Sequence, residues 1–247
     1  MLGHTLLLIF IILAVLIIFS SPDLVKTPQI VAITSQDETY VEIVRTFLID
    51  KQRIQHEATL IKENAIRPHT GLVLGSSTGE LVHELITRGM YTTGLDESPY
   101  MVRHAKETFK DTYLQGKYTS ALLYQEHSLS HVICFNYTFG FIRDKAAVFR
   151  SVHQWLELGG LFFIHVPTEW NPVHTPKYTA TKIHTTLREK AILDKTYTIN
   201  REVYWESSEK LIRLASQYGF EHHSTVSLPF PYTYTVLILK SVDPVYL

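Results

Sequence analysis

Short apolar runs and helical apolar repeats alternate in one stretch of the chain. The run Leu72–Leu74 predicts a strand, and the small residues of Gly75–Gly79 end it. Glu80–Arg88 carries apolar residues at helical spacing, and Tyr91–Leu95 predicts a second strand that ends at Asp96. A small-residue loop lets the backbone approach a ligand, and a carboxylate at a strand end can accept hydrogen bonds from ribose hydroxyls. This pattern is typical of half of a nucleotide-binding βαβ unit.

The same alternation continues to the C-terminus. Further strands are predicted at 113–118, 132–135, 161–166, 222–228 and 232–240, and further helices at 99–109, 143–156 and 207–218. The last two strands are joined by a short turn, so they must be antiparallel neighbours. Strands alternating with helices predict an α/β, doubly wound, mostly parallel seven-stranded sheet with an antiparallel C-terminal hairpin.

One segment, 167–205, breaks this rhythm. It is rich in Thr, His, Pro and Tyr, and LREKAILDK (187–195) within it predicts a short helix. A long segment after a central strand often covers a substrate pocket, so we expect a substrate-side insertion here.

The N-terminus is strongly apolar. Every residue from Leu6 to Phe19 is apolar, and Pro22 with Asp23 ends the run. The run lies near the upper limit of a signal-peptide core (about 7–15 residues) and is shorter than a full spanning helix (about 20), so several interpretations stay open. We expect residues 1–21 to be an uncleaved single-pass membrane anchor; a cleaved signal peptide, a peripheral hairpin and a buried helix are the alternatives.

The residues after this segment divide into a linker and one domain. Residues 22–36 contain two prolines and polar side chains and predict a linker. We expect the domain to occupy 37–247 and to begin with one or two amphipathic cap helices within 37–66.

Composition and charge exclude several classes of protein. The formal net charge is −1, so no global field attracts nucleic acid or an acidic membrane, and no nucleic acid is expected as a partner. The single cysteine, Cys134, excludes an intramolecular disulfide framework and cysteine-based zinc sites. The 13 histidines are scattered without an HExxH motif, so we expect no metal.

Four stretches in order resemble the class I, Rossmann-like S-adenosylmethionine-dependent methyltransferases. LVLGSSTGELVHEL (72–85) is similar to the family's first motif, and GLDESPYMVRHAKETF (94–109) to its second, in which the acidic residue binds the ribose. WLELGGLFFIHV (155–166) is similar to the family's helix, Gly-Gly turn and fifth strand. ESSEKLIRLASQYGF (206–220) followed by YTYTVLILK (232–240) is similar to its last helix and closing hairpin.

The resemblance implies S-adenosylmethionine as the cofactor and a set of residues that hold it. The cofactor-binding candidates are Gly75, Ser76, Ser77, Gly79, Asp96, Glu97, Lys117 and Asn136. Tyr137, after the fourth strand, and His165, near the end of the fifth, are the catalytic candidates. Each also has a structural interpretation: Tyr137 as a core residue and His165 as a buried histidine.

Three positions depart from the family's pattern. Val73 stands where an acidic residue usually precedes the loop, Ser77 replaces the middle glycine, and Lys117 stands where a carboxylate often contacts the adenine. Two function hypotheses therefore stay open. One is a membrane-anchored methyltransferase acting on a small or lipid-like acceptor, and the other is a methyltransferase-fold protein without catalysis that serves as a binding or scaffold module.

The expected compartment is the cytosol. Asn136-Tyr137-Thr138 is a glycosylation sequon by pattern, and a glycan at this predicted site edge would obstruct it. A membrane-anchored domain facing the cytosol is therefore expected, and secretion after signal-peptide cleavage is the alternative.

Overall fold

The computed structural model describes residues 29–65, 67, 70–120, 123–167, 173–228 and 234–243. The predicted anchor at 1–21 lies outside these residues. Among the residues that the structure describes, no helix has both the length and the apolar character needed to cross a bilayer.

The described residues form twelve strands and seven helices. The strands are β1 (Ile30–Ile33), β2 (Thr70–Leu74), β3 (Tyr91–Asp96), β4 (Tyr113–Gln115), β5 (Leu129–Cys134), β6 (Leu156–Pro167), β7 (Val173–His174), β8 (Tyr178–Ile183), β9 (Thr186–Ile192), β10 (Thr196–Glu202), β11 (Phe220–Ser227) and β12 (Tyr234–Ser241). The helices are α1 (Glu38–Phe47), α2 (Lys51–Asn64), α3 (Glu80–Thr87), α4 (Pro99–Phe109), α5 (Thr138–Phe141), α6 (Lys145–Trp155) and α7 (Ser208–Ser216).

The seven-stranded sheet has the order β11-β12-β6-β5-β2-β3-β4. Strands β2 to β6 pair in parallel, whereas β12 is antiparallel to both β6 and β11. The predicted mostly parallel sheet with an antiparallel C-terminal hairpin is therefore confirmed. All the parallel strands point the same way, so their carboxyl ends meet at one edge of the sheet.

Helices cover both faces of this sheet. Phe149 and Trp155 of α6 belong to an apolar cluster on one face, together with side chains of α5 and α7. Ile61 of α2 and Leu85 of α3 belong to the cluster on the other face, which also includes α4. A parallel sheet buried on both sides explains why its strands are continuous apolar runs in the sequence.

Local signals set several helix boundaries as predicted. The Ser98 side chain accepts a hydrogen bond from the backbone N–H of Met101, and Pro99 follows as the first residue of α4. Gly89, with φ of +82°, lies just beyond the end of α3. The one or two amphipathic helices expected within 37–66 are α1 and α2, which follow β1 and precede β2.

A second, five-stranded sheet was not predicted. Its order is β1-β10-β9-β8-β7, with β1 parallel to β10 and the other described pairs antiparallel. Its inner face packs on α1, where Ile43 and Val44 meet Leu187 and Ile199 in an apolar cluster. We call this five-stranded layer the roof. Strand β1 forms within 22–36, the stretch interpreted as a linker, and the predicted division into domains stays a prediction.

The predicted helix at 187–195 is wrong, because Thr186–Ile192 is strand β9. Leu187, Glu189 and Ala191 are buried, and the residues between them are exposed. One of the three inward positions is a carboxylate, so the apolar alternation that signals a strand is interrupted. The residues Leu, Arg, Glu, Lys and Ala favour helices, but pairing with β8 and β10 overrides that preference.

Candidate active site at the carboxyl edge of the sheet

The loop after β2 folds back over the next strand. The backbone N–H groups of Gly75 and Ser76 both donate to the Leu95 carbonyl, at 2.8 and 3.1 Å. Gly75, Ser77 and Gly79 all have positive φ angles, of 68°, 53° and 100°. Ser77 is therefore a non-glycine residue held in the left-handed region, a strained conformation that is typical of functional loops.

Asp96, at the end of β3, organises this loop. Its Oδ2 accepts a hydrogen bond from the Ser77 N–H at 2.9 Å, and its Oδ1 accepts one from the Ser98 N–H at 2.9 Å. Burial raises the pKa of the Asp96 carboxyl, although these backbone donors oppose the shift. Each carboxylate oxygen has capacity for a second hydrogen bond, so Asp96 can also receive ribose hydroxyls.

Tyr118 flanks the carboxylates at the end of β3. Its pKa lies well above the ordinary value because of burial and then the nearby charges of Asp96 and Glu97. Tyr118 and Thr119 both line the cavity described below, whereas the predicted Lys117 is exposed and does not line it. Sequence reasoning missed Tyr118; its aromatic character next to Lys117 was the available signal.

Two consecutive strained residues follow β5. Asn136 and Tyr137 have φ angles of 54° and 58°, both in the left-handed region. The strain turns the chain sharply into α5, where Thr138 packs against Gly75: a Cβ at Gly75 would lie 2.3 Å from Thr138 Oγ1. A pair of strained non-glycine residues at a strand end indicates a functional site.

Helix α2 contributes an ion pair that reaches this strand end. Arg53 donates from Nη2 to Asn136 Oδ1 at 2.8 Å, and its Nε lies 3.3 Å from Glu57 Oε1. The Tyr234 hydroxyl donates to the same Glu57 oxygen at 2.6 Å. Burial raises the pKa of Glu57, and the Arg53 charge opposes the shift. Asn136 is thus fixed by residues of α2, far away in the sequence.

His165 lies behind this ion pair. Its ring stacks on Phe135 at a centroid distance of 3.8 Å and lies 4.0 Å from the Tyr234 ring. Burial and then the Arg53 charge lower the pKa of His165 well below its ordinary value of 6.5. Nε2 is 3.4 Å from Glu57 Oε1, and the side chain does not line the cavity. This environment favours a neutral histidine in the core.

The roof carries a second buried charge. Glu189 accepts hydrogen bonds from Tyr178 Oη at 2.5 Å, from Arg201 Nε at 3.0 Å and from Tyr40 Oη at 3.3 Å. The Arg201 guanidinium lies 3.9 Å from the centre of the Phe141 ring. These polar side chains come from α1 and three roof strands, so they tie the roof to the domain beneath it.

A cavity of ≈ 960 Å³ joins the strand ends to the roof. Of the predicted site residues, it is lined by Gly75, Ser77, Asp96, Glu97, Asn136 and Tyr137. Its remaining wall includes Arg53, Tyr118 and the buried cluster around Glu189, none of which was predicted. The cavity is therefore lined by loop backbone and carboxylates at the strand ends and by aromatic and apolar side chains around the Glu189–Arg201 pair under the roof.

The other predicted site residues lie outside this lining. The Ser76 side chain packs on β3, where a Cβ at Gly94 would lie 2.9 Å from Ser76 Oγ. Gly79 lies against the side chain of Tyr113, whose hydroxyl donates to the Gly79 carbonyl at 3.1 Å. Lys117 and His165 are the remaining two. The assignment of cofactor-binding and catalytic residues stays a prediction.

Comparisons with known proteins agree with this arrangement. Residues 72–164 match the family model described as a methyltransferase domain. Comparison with curated proteins gives no significant sequence match. Among solved structures, the methyltransferase CcbJ of Streptomyces caelestis superposes with a TM-score of 0.67 at 15% identity, covering 84% of this chain and 100% of that one.

Two further structures are similar. DesVI of Streptomyces venezuelae has a TM-score of 0.64 at 16% identity and covers 83% of this chain and 99% of its own. An amino pentose methyltransferase of Micromonospora echinaspora, solved with S-adenosylmethionine, has a TM-score of 0.60 at 14% identity. The match covers 83% of this chain and 97% of that one. At these identities the likeness shows the fold.

Residues 72–164 therefore match a methyltransferase domain, and the fold is that of solved methyltransferases, one of which was solved with the cofactor S-adenosylmethionine bound. The site fits this cofactor at the ribose position, where the buried Asp96 has hydrogen-bonding capacity left. It departs from the family at Val73, which is buried in the core cluster among α2, α3 and α4 and does not line the cavity.

Proposed function

We propose that this protein is an active methyltransferase whose acceptor is a small molecule held between the strand ends and the roof. The observation that carries this proposal is the continuity of the cavity. Asp96 and Ser77 stand at one end, Tyr178 and Glu189 at the other, and Tyr137 also lines it. A volume of ≈ 960 Å³ is large for the cofactor alone and leaves space for a second small molecule.

The cofactor end depends on the loop and on the end of β3. When bound, S-adenosylmethionine supplies a methyl group on a positively charged sulfur. Asp96 binds the ribose hydroxyls, and the backbone of Gly75 and Ser77 approaches the rest of the molecule. Tyr118 and Glu97 border the base. The lining of the cavity and the remaining hydrogen-bonding capacity of Asp96 support these proposed roles.

Tyr137 is the residue we place beside the acceptor. Tyr137 lines the cavity, and the centre of its ring lies 5.5 Å from that of Tyr234 and 6.1 Å from that of Trp205. The second catalytic candidate, His165, is buried away from the cavity, and its lowered pKa makes it a poor proton acceptor at neutral pH. Arg53 is a positioning residue, because it acts by fixing Asn136.

The acceptor's class is small and largely uncharged. Apolar and aromatic side chains such as Val44, Phe47, Met101 and Leu187 dominate the acceptor end. Its buried charges, Glu189 and Arg201, already neutralise each other. Similar structures act on amino sugars and on a glycopeptide nitrogen, which supports a small-molecule acceptor. A lipid-like acceptor fits the same apolar walls and the apolar N-terminal segment at Leu6–Phe19.

The apolar segment also supports the localisation. We propose that residues 1–21 anchor the protein in a membrane, with the domain in the cytosol. The support is the uninterrupted apolar run and the sequon at Asn136, which would place a glycan on the cavity wall in a secretory compartment.

Calorimetry of the full chain with S-adenosylmethionine and with S-adenosylhomocysteine tests the proposal. Binding of both ligands is expected, together with a raised unfolding temperature. Asp96→Ala should abolish the binding, and Glu126→Ala, an exposed surface carboxylate, serves as the matched control. The competing hypothesis, a binding or scaffold module without catalysis, is favoured by Val73 and predicts no heat and no thermal shift at millimolar ligand.

A further inference from the structure

The roof has an outer face that no other described element covers. The inner face packs on α1, and the outer face carries the alternate residues of its strands, including Ile30, Ile183, Arg188, Lys190 and Ile192. The strand register places these residues on the same side. Ile30 pairs with Thr196 and Thr196 with Ile192, while Ile183 pairs with Thr186 two residues before Arg188.

Exposed apolar side chains are concentrated on this face. Five large apolar residues of the described chain are exposed, and three of them belong to it: Ile30 at 67%, Ile183 at 40% and Ile192 at 37%. Ile30 and Ile192 lie in one row across β1, β10 and β9. Single exposed apolar residues need no explanation, but three on one flat sheet face indicate a contact surface.

Basic side chains lie between these isoleucines. Arg188 and Lys190 are exposed and line a shallow depression of ≈ 570 Å³ together with threonine hydroxyls such as that of Thr181. Glu189 contributes to the same wall, but its carboxylate is bonded on the inner face. The depression therefore presents cations and hydroxyl donors, which suit a phosphate group.

Apart from the inward-facing Glu189, the acidic residues Asp194 and Glu202 lie at the ends of the roof strands, and Glu202 shares the outer row of Thr186 and Ile183. Asp194, in the turn after β9, accepts a hydrogen bond from the Tyr197 hydroxyl at 2.8 Å. Glu202, the last residue of β10, accepts one from the Tyr204 hydroxyl. Neither lines the depression on the outer face. The centre of the face is therefore positively charged.

The chain leads from this face to its most apolar segment. The segment Leu6–Phe19 is separated from Ile30, in the edge strand β1, by residues 20–29. A fully extended chain of that length spans at most about 33–36 Å. A membrane that holds Leu6–Phe19 must therefore lie within this distance of the roof's edge.

We propose that the outer face of the roof rests on the surface of an anionic phospholipid bilayer. Arg188 and Lys190 approach lipid phosphates, and the three isoleucines enter the interfacial region. Each basic residue near an anionic surface favours association by about fivefold, so two contribute about thirtyfold. This inference rests on the membrane anchor in the proposed function and adds that the roof, above the acceptor end of the cavity, faces the lipid.

Site-directed fluorescence on the full chain tests this docking. The sole cysteine, Cys134, has no exposed surface, so an introduced cysteine can be labelled selectively. A polarity-sensitive dye is placed at Thr181→Cys on the outer face. The matched control is Leu158→Cys. Leu158 is 60% exposed and lies near the amino end of β6, at the edge of the sheet opposite the cavity. Vesicles of phosphatidylcholine with and without phosphatidylserine are the probe, and flotation measures binding.

The expected result is a blue shift at the Thr181 label with phosphatidylserine, and none at the Leu158 label. The double variant Arg188→Glu, Lys190→Glu should lose the shift while still floating with the vesicles, and added salt should weaken it. An unshifted Thr181 label on protein that floats overturns the docking and leaves the anchor intact. A shift that survives charge reversal overturns the anionic recognition. Protein that does not float overturns both the anchor and the docking, and calorimetry with S-adenosylhomocysteine still reports on the methyltransferase proposal.

Discussion

Removing the Glu189 carboxylate should destabilise the whole domain, because one buried charge cluster joins three roof strands to α1. In Glu189→Ala, Arg201 loses the partner that lies 3.0 Å from its Nε, and the hydroxyls of Tyr40 and Tyr178 lose their acceptor. The guanidinium stays against the Phe141 ring, where water cannot fully replace the lost carboxylate. The variant therefore leaves a positive charge and two phenols without their partner.

The expected loss can be worked from the exposure of the two partners. The Glu189 side chain is 1% exposed and that of Arg201 is 21% exposed. Removing one member of a buried pair costs about 3–5 kcal/mol, and the partial exposure of Arg201 places this case at about 3 kcal/mol. For a chain of this length each kcal/mol lowers the unfolding temperature by about 2–4 °C, so the expected drop is about 6–12 °C.

Denaturant and thermal unfolding followed by circular dichroism measure this change. Glu189→Gln keeps the hydrogen-bond acceptor but loses the charge, so it should fall between the wild type and Glu189→Ala. The matched control is Lys190→Gln, the next residue on the same strand, which points to the outer face. This exposed substitution should change the free energy of unfolding by less than about 0.5 kcal/mol.

The reasoning is refuted if Glu189→Ala unfolds at the same denaturant concentration as Lys190→Gln. That result would mean that apolar contacts between α1 and the roof carry the stability. A roof that melts separately, seen as a second transition, would instead show that the cluster couples the roof to the domain.

Three further results are expected. Asp96→Asn should weaken binding of S-adenosylhomocysteine about ten- to a hundredfold, the value of one charge-assisted hydrogen bond, in calorimetry; unchanged affinity would contradict the ribose assignment. Gly75→Ala should lose more stability than Gly89→Ala in denaturant unfolding. Both glycines have a positive φ (+68° and +82°), so alanine costs about 1 kcal/mol of backbone strain at either position. Only at position 75 does the new Cβ also clash with another atom, Thr138 Oγ1 at 2.3 Å. Because the pKa of His165 lies well below 6.5 in the folded protein, the unfolded chain binds a proton there that the folded chain excludes, so this residue should lower stability as the pH falls below 6.5. His165→Phe keeps an aromatic ring but cannot bind the proton. Its unfolding temperature should therefore fall less than that of the wild type when the pH is lowered from one unit above 6.5 to one unit below. An equal fall in the two proteins would exclude His165 as the cause.

Local patterns were sufficient for the central sheet. The apolar runs of β2, β5 and β6 are continuous because both faces of a parallel sheet are buried. The cap at Ser98 and the position of Asp96 at a strand end follow from neighbouring residues, so they were readable in the sequence. These features need few contacts beyond the strand and helix in which they occur.

Local sequence patterns did not predict the five-stranded roof. Strand β9 places Glu189 inward, and that charge is tolerable only because Arg201, Tyr40 and Tyr178 surround it in the folded protein. Until those partners are known, a buried carboxylate looks like an exposed one, and the segment looks like a helix. The pairing of β1 with β10 joins residues far apart in the sequence, so no local pattern signals it.

The sequence by itself determined the class of fold, the loop after β2 and the acidic residue at the end of β3, because these depend on local periodicity and on residue type at a strand end. Only the tertiary structure decided which candidates share a cavity. Asn136 meets Arg53 across 83 positions of the chain, and Tyr234 meets Glu57 across 177. His165 was a candidate base by position, but stacking on Phe135 and burial beside Arg53 place it in the core. Such contacts arise from packing between elements that are distant in the chain, so the spacing of residues in the sequence does not predict them.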